Sequence, residues 1–247
     1  MKKNLEILLI ITMFVVTIAA LIIIFSRPKP VPSVPVEVRP EPEEIIKDFQ
    51  SARAQSYAAV KELDADGNDK IIGSIEAPLK IFVYENYLDL YSANLAETLE
   101  RIKEEEAEQV ALVVRPYAVD GSLAAKQAAS AVDCAGEAGK WAEMRDLLFI
   151  KTKNGGFDLS RLLDYAREIG LDEKDFSACL TKNEKSEKIE KLTAEAEDYL
   201  VQGTPTIFIG DEMILGARPY DDFIDSNGDK IEGLKAVVAK SLQKIVD

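Results

Sequence analysis

The sequence predicts an α/β domain: a βαβ unit, a block of inserted helices, then a β-hairpin and a closing helix, all preceded by a single N-terminal transmembrane helix. Three observations predict it. Two apolar runs, "PLKIFVY" (78–84) and "QVALVVRPY" (109–117), flank a stretch with helical spacing. From about residue 120 to about residue 200 only helix-like patterns follow. "TPTIFIG" (204–210) and "EMILGA" (212–217) then meet at Gly210–Asp211, a hairpin signal.

Taken in chain order, Ile7–Phe25 is a 19-residue run, apolar apart from Thr12 and Thr17. At helical rise it crosses a hydrocarbon core of about 30 Å. Lys2 and Lys3 precede it and Arg27 and Lys29 follow it, so flanking charge is nearly balanced. The short leading tail favours a cytoplasmic N-terminus, with the main domain extracytoplasmic, in a periplasm or at a cell surface. A cleaved signal peptide is the alternative; the run is longer than a typical signal core and no A-x-A site follows it. Segment 1–26 is thus read as a signal-anchor in the cell membrane. Residues 27–43 form a linker in which Pro28, Pro30, Pro32, Pro35, Pro40 and Pro42 favour an extended spacer. Residues 44–72 are a helical or irregular lead-in. Within it Asp64, Asp66 and Asn68 match the first three positions of a calcium loop, but Asp69 and Ile75 stand where Gly and Glu are required. "DSNGDKIEG" (225–233) also lacks the acidic twelfth position. Polar turns are expected at both, with no metal.

The folded domain is expected over 73–247. Its helices are predicted at Leu90–Glu106, Ser122–Glu137, Lys140–Lys151, Leu159–Ile169, Glu173–Thr181, Ser186–Tyr199 and Gly233–Val246. Leu95, Leu99 and Ile102 share one face of the first, and Trp141, Met144, Leu147 and Leu148 have core spacing. Pro116 ends the second strand because it cannot extend the ladder.

Composition narrows the function. The net charge of −14 repels phosphate backbones, so nucleic acid is not an expected partner. There is no histidine, which excludes Ser-His-Asp, Cys-His and His-ligated zinc chemistry. Cys134 and Cys179 are too distant in sequence for a CxxC motif. They are either buried free thiols or a disulfide, which an exported domain would permit.

Three stretches carry a resemblance: "GSIEAPLKIFVYENY" (73–87), "AASAVDCAGEAGKWAEMRDLLF" (128–149) and "VQGTPTIFIGDEMILGARPYDDF" (201–223). Together they resemble the DsbA-like thiol-disulfide oxidoreductases, whose domain is a thioredoxin-like fold with a helical insertion. The resemblance implies that Pro205 is cis and faces the start of the helix at Leu90. It also implies that the family's C-P-Y-C falls on Asp89-Leu90-Tyr91-Ser92, so both sulfurs are absent. The acid that many members carry six positions before the first cysteine falls on Val83, with Glu85 nearby. Asp89 is suited to cap the helix in place of a thiolate. Some members carry cysteines at both remaining positions, implying a Cys134–Cys179 disulfide.

The implied function is binding, without catalysis at the usual site and without a cofactor. Tyr87, Leu88, Leu90, Tyr91, Thr204 and Pro205 would line a shallow groove for peptide or protein clients, or for an envelope membrane protein. The alternatives are a thiol-disulfide oxidoreductase or isomerase using Cys134 and Cys179, and a purely structural envelope module.

Overall fold

The computed structural model describes Ala65 and residues 69–246. The anchor over 1–26, the linker over 27–43 and most of the lead-in, with its Asp64, Asp66 and Asn68, lie outside the described residues. Among the described residues no helix is long and apolar enough to cross a membrane.

Strands β1 (Lys70–Ile72), β2 (Leu79–Glu85), β3 (Val110–Pro116), β4 (Thr206–Ile209) and β5 (Glu212–Leu215) form one sheet in the order β1-β3-β2-β4-β5. β2 and β3 are parallel; every other pair is antiparallel. The parallel pair requires a crossover, supplied by α1 (Leu90–Glu105). The β4–β5 hairpin turns at Gly210, whose φ of 57° is a left-handed conformation that glycine adopts without steric cost. β1 is a correction to the sequence-based boundary: the sheet begins at Lys70, not beyond 73. Arg115 secures this edge, its Nε and Nη2 each donating to Asp69 at 2.8 Å.

Side chains on β2 alternate between two buried faces, as the pleat requires. Leu79, Ile81 and Val83 pack with Leu95, Leu99 and Ile102 of α1 and with Leu234, Val237 and Val238 of α7 (Leu234–Val246). Phe82 and Tyr84 point the other way, into a cluster with Val113, Tyr117, Phe208 and Ala196. Each large apolar side chain so buried contributes about 1.5–3 kcal/mol.

The predicted insertion is helical throughout: α2 (Leu123–Glu137), α3 (Trp141–Lys153), α4 (Leu162–Glu168), α5 (Glu173–Leu180) and α6 (Asn183–Asp198). Ser122 caps α2 by accepting from Ala125 N–H at 3.4 Å, and Asp172 caps α5 by accepting from Asp175 N–H at 2.9 Å. Met144, Leu147 and Leu148 are core, as their spacing predicts. Cys134 of α2 and Cys179 of α5 form a disulfide with Cα atoms 5.8 Å apart. Beside it Asp133, on the same helix as Cys134, accepts from Lys185 and Lys188 at 2.7 Å and from Lys70 at 3.4 Å. Burial alone would raise the Asp133 carboxyl, but these ammonium groups hold it down at about 2.

The segment at 225–233 is a turn between two short strands, β6 (Phe223–Ile224) and β7 (Lys230–Ile231). Asp225 Oδ1 accepts from the amides of Asn227 and Asp229, each at 2.9 Å. The carboxylate therefore organises the turn itself.

Candidate functional site

The site lies at the end of the sheet where β2 finishes and β4 begins. β2 delivers the chain to Asn86–Asp89, and α1 starts at Leu90. Asp89, with φ −102° and ψ 123°, has the extended backbone of an N-cap. Its Oδ1 accepts from Tyr91 N–H at 3.0 Å and its Oδ2 from Ser92 N–H at 3.1 Å. Two of the four amides left open at a helix start are thus satisfied. Ser92, 1% exposed, donates its hydroxyl to Asp89 Oδ2 at 2.8 Å and accepts from Asn86 N–H at 3.3 Å.

The other half of the site arrives from the end of α6. Leu200 has φ 63°, uncommon for a residue with a side chain. Its amide donates to Glu197 O at 2.9 Å and the next, Val201, to Ala196 O at 3.1 Å. This is the paired bonding that stops a helix sharply, with leucine where glycine is usual. The chain then runs directly to Gly203 and Thr204. The Thr204–Pro205 bond is cis, as the resemblance implies. Thr204 Oγ1 donates to Asp89 Oδ2 at 3.2 Å, across 115 residues of sequence. Behind it Thr206 Oγ1 donates to Gly203 O at 2.8 Å, and Gly216 N–H donates to Pro205 O at 2.8 Å.

The structure thus brings Asp89, Ser92, Thr204 and Pro205 together, and places Cys134 and Cys179 elsewhere, inside the helical insertion. Leu90 and Tyr91 stand open at the helix start, 52% and 66% exposed. Leu88 is half-buried against the core of the insertion.

Tyr87 and Pro205 are corrections. Pro205, expected to line the groove, is buried, and Tyr87 is 1% exposed and cannot line it. The Tyr87 ring packs against Phe149 with centroids 5.6 Å apart, and Thr152 donates to its carbonyl at 2.9 Å. Its hydroxyl is buried with no hydrogen-bond partner among the described residues. Burial, then the nearby Glu85 carboxylate, pushes this phenol well above the ordinary tyrosine range.

Sequence reasoning missed the charged pair beneath the site. Glu85, the last residue of β2, meets Arg145 of α3 through two bonds of 2.6 and 2.9 Å. Both side chains are buried, 1% and 4% exposed. Burial raises the Glu85 carboxyl, and Arg145 only partly draws it back. A single arginine between Met144 and Leu147 on an apolar helix face was the available signal, matched by an acid ending an apolar strand. With both oxygens held by the guanidinium, Glu85 is a structural anion rather than a free base under the site.

A comparison with known families matches residues 65–225 to the family described as thioredoxin. Among solved structures, the chain is similar to α-DsbA1 of Wolbachia pipientis, with a TM-score of 0.59 at 20% identity, covering 76% of this chain and 98% of that one. It is similar to α-DsbA2 of the same organism, with a TM-score of 0.62 at 19% identity, covering 81% and 98%. It also resembles a linker-deletion mutant of Proteus mirabilis ScsC, with a TM-score of 0.64 at 20% identity, covering 82% and 89%. At these identities the likeness is one of fold. Among curated proteins it is 27% identical over 155 residues to a Na(+)/H(+) antiporter NhaA of Herminiimonas arsenicoxydans, covering 62% of this chain. The chain spans about a quarter of that protein's length, 24%.

Proposed function

This chain belongs to the DsbA-like thioredoxin-fold family, and we propose that it is a membrane-anchored, extracytoplasmic member that binds polypeptide clients without exchanging disulfides at the usual site. One observation carries the reading: the position beside the cis-proline loop holds a carboxylate whose oxygens are occupied by four donors. Disulfide exchange needs a thiolate to attack sulfur, and neither Asp89 nor Ser92 supplies one. The buried Glu85 is committed to Arg145, so it is not free to activate the Ser92 hydroxyl as a base.

What the site offers is a surface. Thr204 makes no backbone–backbone hydrogen bond among the described residues. Leu90 and Tyr91 are exposed beside it. A residue whose backbone is unpaired among the described residues, with exposed apolar side chains beside it, suits an extended peptide, which pairs through its main chain and needs no sulfur. The negative charge of the protein favours cationic clients. The clients are exported chains or an envelope membrane protein, reached from the membrane by the proline-rich linker.

The test is binding of unfolded lysozyme, with every cysteine alkylated, to the full-length chain in detergent. Tyr91→Ala is expected to weaken binding by about tenfold, a loss of about 1.4 kcal/mol, since exposed aromatics dominate such contacts. Equal affinity of wild type and Tyr91→Ala would remove Tyr91 from the site.

A further inference from the structure

We infer that Asp89 is a positioning residue that latches the Thr204–Pro205 loop to the start of α1, holding the client-binding edge in one geometry. The inference rests on the binding function proposed above and adds how that site is kept in shape. Capping alone does not account for the arrangement. A serine or asparagine satisfies a helix start with one acceptor oxygen. Asp89 presents two oxygens and fills both: Tyr91 N–H on Oδ1, and Ser92 N–H, Ser92 Oγ and Thr204 Oγ1 on Oδ2.

The bonds form a connected chain. Asn86 N–H donates to Ser92 Oγ, Ser92 Oγ donates to Asp89 Oδ2, and Thr204 Oγ1 donates to the same oxygen. The end of β2, the first turn of α1 and the loop before β4 are thereby joined through the Ser92 hydroxyl and Asp89 Oδ2. A charged acceptor makes each of these bonds stronger than its neutral counterpart. The positive end of the α1 dipole holds the carboxylate in place. The loop is secured on its far side as well, by Gly216 N–H on Pro205 O. Between these two fastenings stands Thr204, with its backbone unpaired among the described residues. Preorganising such an edge lowers the ordering cost of binding without adding a contact to the client.

Thr204→Val removes the latch hydroxyl while keeping the shape and the backbone. Two measurements on the full chain read the result. The first is amide hydrogen exchange at Gly216, which reports opening of the loop. It is expected to accelerate by about tenfold in Thr204→Val. The second is affinity for cysteine-alkylated, unfolded lysozyme, expected to fall by a similar factor in Thr204→Val and in Asp89→Asn. The double variant should lose no more than either single one, because both changes break the same link. Unchanged Gly216 exchange in Thr204→Val, or fully additive losses in the double variant, would overturn the latch. If wild type fails to bind the probe while Gly216 exchange still responds, the binding function falls and the latch stands.

Discussion

Glu85→Ala is expected to destabilise the protein by about 3–5 kcal/mol, because it leaves the Arg145 guanidinium buried without its main counter-charge. Arg145 is 4% exposed on its side chain, and its other acceptor, Asp146 at 3.0 Å, is itself 63% exposed. The solvated aspartate cannot replace a bidentate buried carboxylate. For a domain of this size the loss lowers the melting temperature by about 6–20 °C. Calorimetry or near-ultraviolet circular dichroism measures it. The companion Glu85→Leu, Arg145→Met should recover most of the loss, since the desolvation cost disappears with both charges. A melting temperature lowered by less than about 3 °C in Glu85→Ala would show that Arg145 finds another partner or water.

Cys134→Ala is the second large effect. The disulfide closes a loop of 45 residues between α2 and α5. Loop-closure entropy makes that cross-link worth about 4 kcal/mol. Urea titration should show the unfolding midpoint shifted accordingly. Cys179→Ala and the double variant should match Cys134→Ala, because one bond is lost in every case. Additive effects of the two substitutions would instead mark their packing, not the cross-link, as the stabilising contribution. The α2 face that carries Cys134 is alanine-rich, with Ala125, Ala128, Ala131 and Ala135 all buried. Small side chains bury little area each, so a covalent staple matters more there than in the sheet.

The core sheet was legible because its signals are local. β2 and β3 are runs of apolar residues, and α1 announces itself by Leu95, Leu99 and Ile102. β1 was not legible. Three residues, Lys70–Ile72, give no alternation to read, and their pairing with β3 depends on contacts outside the segment. β6 and β7, two residues each, failed for the same reason. Leu159–Ile169 reads as one helix, but the structure makes Leu159–Arg161 a tighter turn before α4. At the site, Asp89 as a cap followed from its residue type and position. Its bond to Thr204 did not, because 115 residues separate the partners and no periodicity links them. Tyr87 misled because an aromatic beside a groove and an aromatic beneath it have the same sequence neighbours. Only the packing against Phe149 distinguishes them.

A site that works by contact and not by sulfur binds its clients whether or not they carry thiols. The most direct measurement compares two forms of the same unfolded lysozyme, one with free cysteines and one with all cysteines alkylated, for equilibrium binding to the full-length chain. Equal affinities and no covalent adduct are expected. Retention of the free-thiol form alone, as a mixed disulfide at Cys134 or Cys179, would contradict that expectation and establish exchange chemistry in the helical insertion.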